Sequence, residues 1–138
     1  MSVVLDTHAW LWFLNADPRL GKEAARLIEA ATTGEGAVLS AISPWEISML
    51  VAKQRLSLPR ATQEWMTEML SQPGFALHPL SIPIAVDSNM LPGTCHGDPA
   101  DRIIIATARH LAIPLVTADR QILEYAAAGH LVAADATL

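Results

Sequence analysis

Apolar residues in this chain fall into short runs without polar alternation, separated by longer stretches of helical period. Ser2 to Leu5, Ala37 to Ser40, Phe75 to His78 and Leu115 to Thr117 sit between turn signals and predict buried strands, and Leu131 to Ala134 predicts a last one. Between them the period lengthens. Helices are expected over Ala9 to Leu14, Gly21 to Ala31, Ser43 to about Lys53, Arg60 to Leu70, Ile84 to Asn89 (bounded by Pro83 and Pro92-Gly93), Asp98 onward, and Arg120 to Ala128. Short apolar strands alternating with helices are what a parallel sheet covered on both faces produces, so the pattern predicts an α/β sandwich.

Composition narrows this picture. A length of 138 residues suits one domain, 1–138, and no repeat, low-complexity tract or linker divides it. Hydrophobic residues are 51% of the chain, yet Asp, Pro, Gly and Lys interrupt every apolar run before the ~18 residues a membrane span requires. No membrane contact is expected. The N-terminal stretch lacks a basic segment and is broken by Asp6 and His8, which argues against a signal peptide and for the cytoplasm. Cys95 is the single cysteine, so a disulfide framework and a cysteine zinc site are both excluded, and any metal must take oxygen or histidine ligands. The net charge of −5 is unlike that of a simple nucleic-acid binder, which uses Lys and Arg against phosphate.

The acids carry the chemical signal. Asp6 ends the first strand, Glu46 and Asp101 lie in first turns of helices, and Asp119 follows the strand Leu115 to Thr117. Each alone has an ordinary structural explanation. Ser43-Pro44-Trp45-Glu46 reads as a capping box, Asp98-Pro99-Ala100-Asp101 has the same shape with Asp98 as cap, and Asp119 suits the cap of the last helix. Caps contribute roughly 0.5–2 kcal/mol, enough to justify any one of them.

Taken together they do not stay ordinary, because all four fall at the sheet edge where open α/β folds bind ligands. Carboxylates about 5 Å apart repel by roughly 3 kcal/mol per pair at an effective dielectric near 20, more than a cap returns. Proton uptake or a cation must relieve that repulsion. An oxygen-rich cluster with at most a neutral His nearby suits Mg²⁺ or Mn²⁺, and such ions support phosphodiester hydrolysis.

The motifs LDTHAWLW (5–12), SPWEISMLVAKQRLSL (43–58), DPADRIIIATA (98–108) and LVTADRQILEY (115–125) resemble those of PIN-domain toxins of the VapC type, in the same order and over nearly the whole chain. DPxDRxxIATA followed by LVTAD is the distinctive combination. The resemblance implies a three-layer α/β/α PIN-like fold with a parallel sheet of about five strands. It also implies a Mg²⁺- or Mn²⁺-dependent endoribonuclease, a cognate VapB-type antitoxin over the active-site groove, and a homodimer. Carried over residue by residue, it makes Asp6, Glu46, Asp101 and Asp119 the catalytic acids, with Asp6 and Asp101 the main metal ligands. Asp98 suits the helix cap, whereas Asp101 at the third helical position can aim back toward the strand ends.

Other residues keep two readings. Thr7 and Thr117 either hydrogen-bond the carboxylates or finish strand ends. Arg102 and Arg120 either meet RNA phosphates or are ordinary solvated charges, as are Lys53, Arg55 and Arg60. His8 and His96 stand beside acids; each can be a ligand or proton shuttle, or can merely bond within its loop, and neither is assigned a role. Trp10, Trp12, Phe13, Trp45 and Met49 exceed what a small core requires and offer an antitoxin or dimer surface. Two alternative functions remain: a receiver-like phosphoacceptor domain, disfavoured by the absence of Lys after Lys53, and a non-catalytic binding module.

Overall fold

The computed structural model describes residues 1–138. In chain order the elements are β1 (Val3–Leu5), α1 (Thr7–Leu14), α2 (Lys22–Thr33), β2 (Ala37–Ser40), α3 (Ile42–Ala52), α4 (Thr62–Leu70), β3 (Phe75–His78), α5 (Ile82–Asn89), α6 (Pro99–Leu111), β4 (Leu115–Thr117), α7 (Arg120–Ala127) and β5 (Ala133–Asp135). The strands form one sheet in the order β3-β2-β1-β4-β5, and every pairing is parallel. The α/β sandwich expected from periodicity is therefore observed. A receiver-like domain has the order 2-1-3-4-5, so the topology removes that alternative.

Successive strand residues point to opposite faces, and here each face meets its own apolar layer. Val3, Leu5, Leu39 and Val116 pack with Trp10, Ile28, Ile47 and Trp65 on one side. Val4 and Leu115 pack with Ile84, Ile104, Ile105 and Ile122 on the other. Register fixes this division: Leu5 lies opposite Leu39 and Val116, while Val4 lies opposite Leu115. Trp10, fully buried, belongs to this core and is no docking residue.

Several boundaries shift for local reasons. Helix α1 begins two residues earlier than expected because the Asp6 carboxylate accepts from Thr7 N–H and caps it. Helix α5 begins at Ile82 with Ser81 as cap, so Pro83 lies inside the first turn, where its missing N–H costs nothing. The capping box expected at Ser43 does not form. Helix α3 starts at Ile42, and the Ser43 hydroxyl is engaged by Thr7. Strand β5 starts at Ala133, two residues later than expected, and Leu131 is buried in the core ahead of it.

The sheet order reverses between β1 and β4: β2 and β3 extend to one side of β1, and β5 extends to the other side of β4. Beyond the carboxyl ends of the two central strands that reversal opens a crevice. Asp6 immediately follows β1, Thr117 ends β4, and Asp119 caps α7 just after it.

Candidate active site

Two threonines organise the acids at this crevice. The Thr117 hydroxyl donates to Asp6 Oδ2 at 2.6 Å and accepts from Asp119 N–H at 3.1 Å, which ties the end of β1 to the turn after β4. Thr7 donates its N–H to Asp6 Oδ1 at 2.8 Å, and its hydroxyl donates to Glu46 Oε1 at 2.6 Å. That hydroxyl has one proton, so Ser43 Oγ, 2.8 Å away, supplies the other hydrogen bond as donor. Asp6 is 2% exposed, and both its oxygens are held before anything else binds. The reading of Thr7 and Thr117 as carboxylate partners matches these contacts.

Asp101 enters from the first turn of α6. Asp98, exposed, accepts from Asp101 N–H at 3.2 Å and caps the helix as the sequence suggested. Asp119 caps α7 in the same manner, with Oδ1 accepting from Gln121 and Ile122 N–H. Burial raises the Asp101 carboxyl first, then the nearby charges of Asp6, Asp98, Asp119 and Glu46 push it further, to about 8. Glu46 is also raised, chiefly by burial and further by Asp6 and Asp98, with the Thr7 hydrogen bond opposing. Five acids therefore share one field. None of them has a Lys or Arg ion-pair partner; the basic side chains beside the cluster are imidazoles, His8 at 3.6 Å from Asp6 and His96 at 3.6 Å from Asp101.

The donor set fits a divalent cation. Ligand atoms of His96, Asp101 and Asp119 lie within 4.8 Å of one another, and His96 Nε2 is buried without a hydrogen-bond partner. A hollow of about 530 Å³, lined by Thr94, Gln121, Glu124, Tyr125 and His130 among others, opens beside the cluster with His96 in its wall.

The arginines part company. Arg120 is 74% exposed and reaches Asp135 at 3.5 Å, leaving it available to solvent. Arg102 differs from expectation: Nε donates to Ser88 O at 2.8 Å, and Nη1 reaches the carbonyls of Cys95 and His96 at 3.3 and 3.2 Å. With these donors engaged by main chain, Arg102 anchors the loop before α6 and is no freely solvated charge. Sequence reasoning left His96 unassigned because a loop residue has no periodicity to place it. It also missed the exposed apolar side chains Ile82 and Val86 on α5 and Met90 just past its end, spaced at i, i+4 and i+8. Trp45 is exposed beside Glu46, while Trp12 and Phe13 pack partly against the core.

A 3-2-1-4-5 parallel sheet with acids converging at its switch point defines an α/β domain with an acid-lined crevice at that edge. The profile of the PIN domain family matches residues 3–128, and the chain belongs to that family. Among curated relatives it is similar to Ribonuclease VapC22 of Mycobacterium tuberculosis, with 31% identity over 121 residues, 88% of this chain and 89% of that protein. Solved structures of the same fold include VapBC2 of Rickettsia felis bound to a DNA fragment from its promoter, at TM-score 0.70 and 18% identity over 97% of this chain and 98% of that one. FitAcB of Neisseria gonorrhoeae gives 0.64 and 22% over 96% of each chain. A toxin–antitoxin complex from Klebsiella pneumoniae gives 0.57 and 24% over 87% and 89%.

Proposed function

We propose that this chain is a divalent-metal-dependent endoribonuclease, the toxin half of a toxin–antitoxin pair. The observation that carries this reading is the Asp101 carboxyl, pushed to about 8 among four other carboxylates with no Lys or Arg paired to any of them. Such a site stores repulsion that a cation relieves. The similarity to Ribonuclease VapC22 supports RNA as the substrate.

In this reading Asp6 and Asp101 are the principal metal ligands. Mg²⁺ or Mn²⁺, when bound, supplies an acidified water and charge neutralisation at the scissile phosphate. Glu46 is fixed through Oε1 by Thr7, which leaves Oε2 to take the proton from the attacking water, and its upward shift, caused chiefly by burial, makes it a stronger base than an ordinary carboxylate. Asp119, with Oδ1 held by two main-chain N–H groups, orients that water through Oδ2. Attack at phosphorus breaks the bond to the 3′ oxygen, which leaves with a proton from solvent, giving 5′-phosphate and 3′-hydroxyl ends. Arg120, largely exposed, is the basic side chain assigned to the RNA backbone in this reading.

The partner is a VapB-type antitoxin whose basic tail enters the acid groove and replaces the cation's charge. The Ile82-Val86-Met90 stripe is the surface offered to a second copy of the chain. No helix is long and apolar enough to cross a membrane.

Purified chain freed of any partner should cleave RNA with Mg²⁺ or Mn²⁺ and stop with EDTA. Asp6→Asn should abolish cleavage with the circular dichroism spectrum unchanged, and Asp98→Asn should do less, since Asn still caps a helix. Cleavage that persists in excess EDTA would overturn the proposal.

A further inference from the structure

His96 is the residue in this site whose geometry lacks an explanation. Its side chain is 14% exposed, and Nε2 is fully buried with no hydrogen-bond partner. A buried polar atom left unmatched costs about 1–3 kcal/mol, so such an atom calls for a binding partner. The Asp101 carboxylate stands at 3.6 Å through Oδ2, beyond a hydrogen bond.

The spacing instead suits a shared ion. Ligand atoms about 2.1 Å from an octahedral cation lie roughly 3.0 Å apart when adjacent and roughly 4.2 Å apart when opposite. The 3.6 Å from His96 to Asp101 falls between these values, and Asp119, within 4.8 Å of both, is in reach through a water on the same ion. The imidazole is also held from behind. Arg102 bonds the carbonyls of Cys95 and His96 and anchors them to Ser88 at the end of α5, so the loop cannot drift without breaking charge-assisted hydrogen bonds. Gly97, where an added Cβ would touch nothing, is no obstacle to this path.

We propose that His96 is a nitrogen ligand of the cation held by the acid cluster, through Nε2 beside Asp101 and Asp119, and that it biases the site toward a first-row transition dication such as Mn²⁺ over Mg²⁺. Imidazole nitrogen binds transition ions far better than it binds Mg²⁺, which prefers carboxylate and water. The inference rests on the cation-site reading above and adds to it the identity of a ligand and the metal preference that follows.

The experiment is pulsed electron paramagnetic resonance on the Mn²⁺-loaded full chain, with Mn²⁺ and Mg²⁺ titrations of the wild type, His96→Gln and His96→Ala. Directly coordinated ¹⁴N should modulate the wild-type echo, and the modulation should vanish in both variants. Mn²⁺ affinity should fall by about tenfold or more in each variant, while Mg²⁺ affinity changes by less than about threefold. If the wild type binds Mn²⁺ without nitrogen coupling, or His96→Gln restores wild-type affinity through its amide donor, His96 only positions Asp101 and the inference fails alone. If the wild type binds neither ion, the cation site itself is wrong.

Discussion

Replacing Asp101 with Asn should stabilise the metal-free protein at neutral and alkaline pH while abolishing cleavage. The native carboxyl titrates at about 8 against 3.8 in the unfolded chain. Between those values the folded state holds a proton that the unfolded state has released, so wild-type stability must fall as pH rises from about 4 to 8. At about 1.4 kcal/mol per unit, the ideal loss is about 3 kcal/mol by pH 6 and about 5 kcal/mol by pH 8. Asp101 is 16% exposed, and water drawn toward the ionised cluster reduces that to on the order of 2–3 kcal/mol. Asn keeps the side-chain volume and the N–H that Asp98 caps, and it forfeits only the first-turn charge, about 0.3–1 kcal/mol.

The net gain for Asp101→Asn at pH 8 is therefore roughly 1–2 kcal/mol, or about 3–8 °C in Tm for a chain of this size. Thermal melts in EDTA from pH 5 to 8.5 read it directly: the two proteins should nearly coincide at pH 5 and separate steadily above it. Saturating Mn²⁺ should close the gap by stabilising the wild type alone, because the ion takes the place of the proton. Parallel pH profiles, or a variant less stable than the wild type at pH 8, would show that the carboxylates do not share a field.

Thr117→Val removes the hydroxyl that joins Asp6 to Asp119, and urea denaturation should show a loss of about 1–3 kcal/mol, with cleavage falling at least tenfold in a protein that still folds. Arg102→Gln should cost about 1.5–3 kcal/mol in the same assay, and metal titration should show weaker binding, since the loop carrying His96 loses its anchor. Ala112 ends α6 in the left-handed region at φ 55°, so Ala112→Gly should raise stability by about 0.5–1 kcal/mol in thermal melts with cleavage unchanged.

The fold was legible because each strand is a continuous apolar run and each helix has its own stop signals, and both are local properties. Asp98 and Asp119 were read correctly as caps for the same reason: the hydrogen bond they make is two or three residues long. Ser43 shows where that logic ends. Its capping box has the right residues, but a hydroxyl from α1, 36 residues away in sequence, outcompetes the local bond. Trp10 and Trp45 show the same limit for burial. Both are tryptophans near an acid, yet one is sealed against Trp65 and Phe75 while the other is 57% exposed, and only the packing of α1 against the sheet decides which.

The acids themselves could be listed from sequence, but their arrangement depends on contacts that no local pattern encodes. Thr117 reaches Asp6 across 111 residues, and Thr7 reaches Glu46 across 39. These two hydroxyls keep carboxylates together that would otherwise separate, and they do so without neutralising them. A Lys or Arg facing the same oxygens would neutralise them and remove the demand for a cation. Neutral donors hold the geometry and leave the charge, so the carboxylates stay free to attract a positive group, a metal ion or a partner's basic side chain.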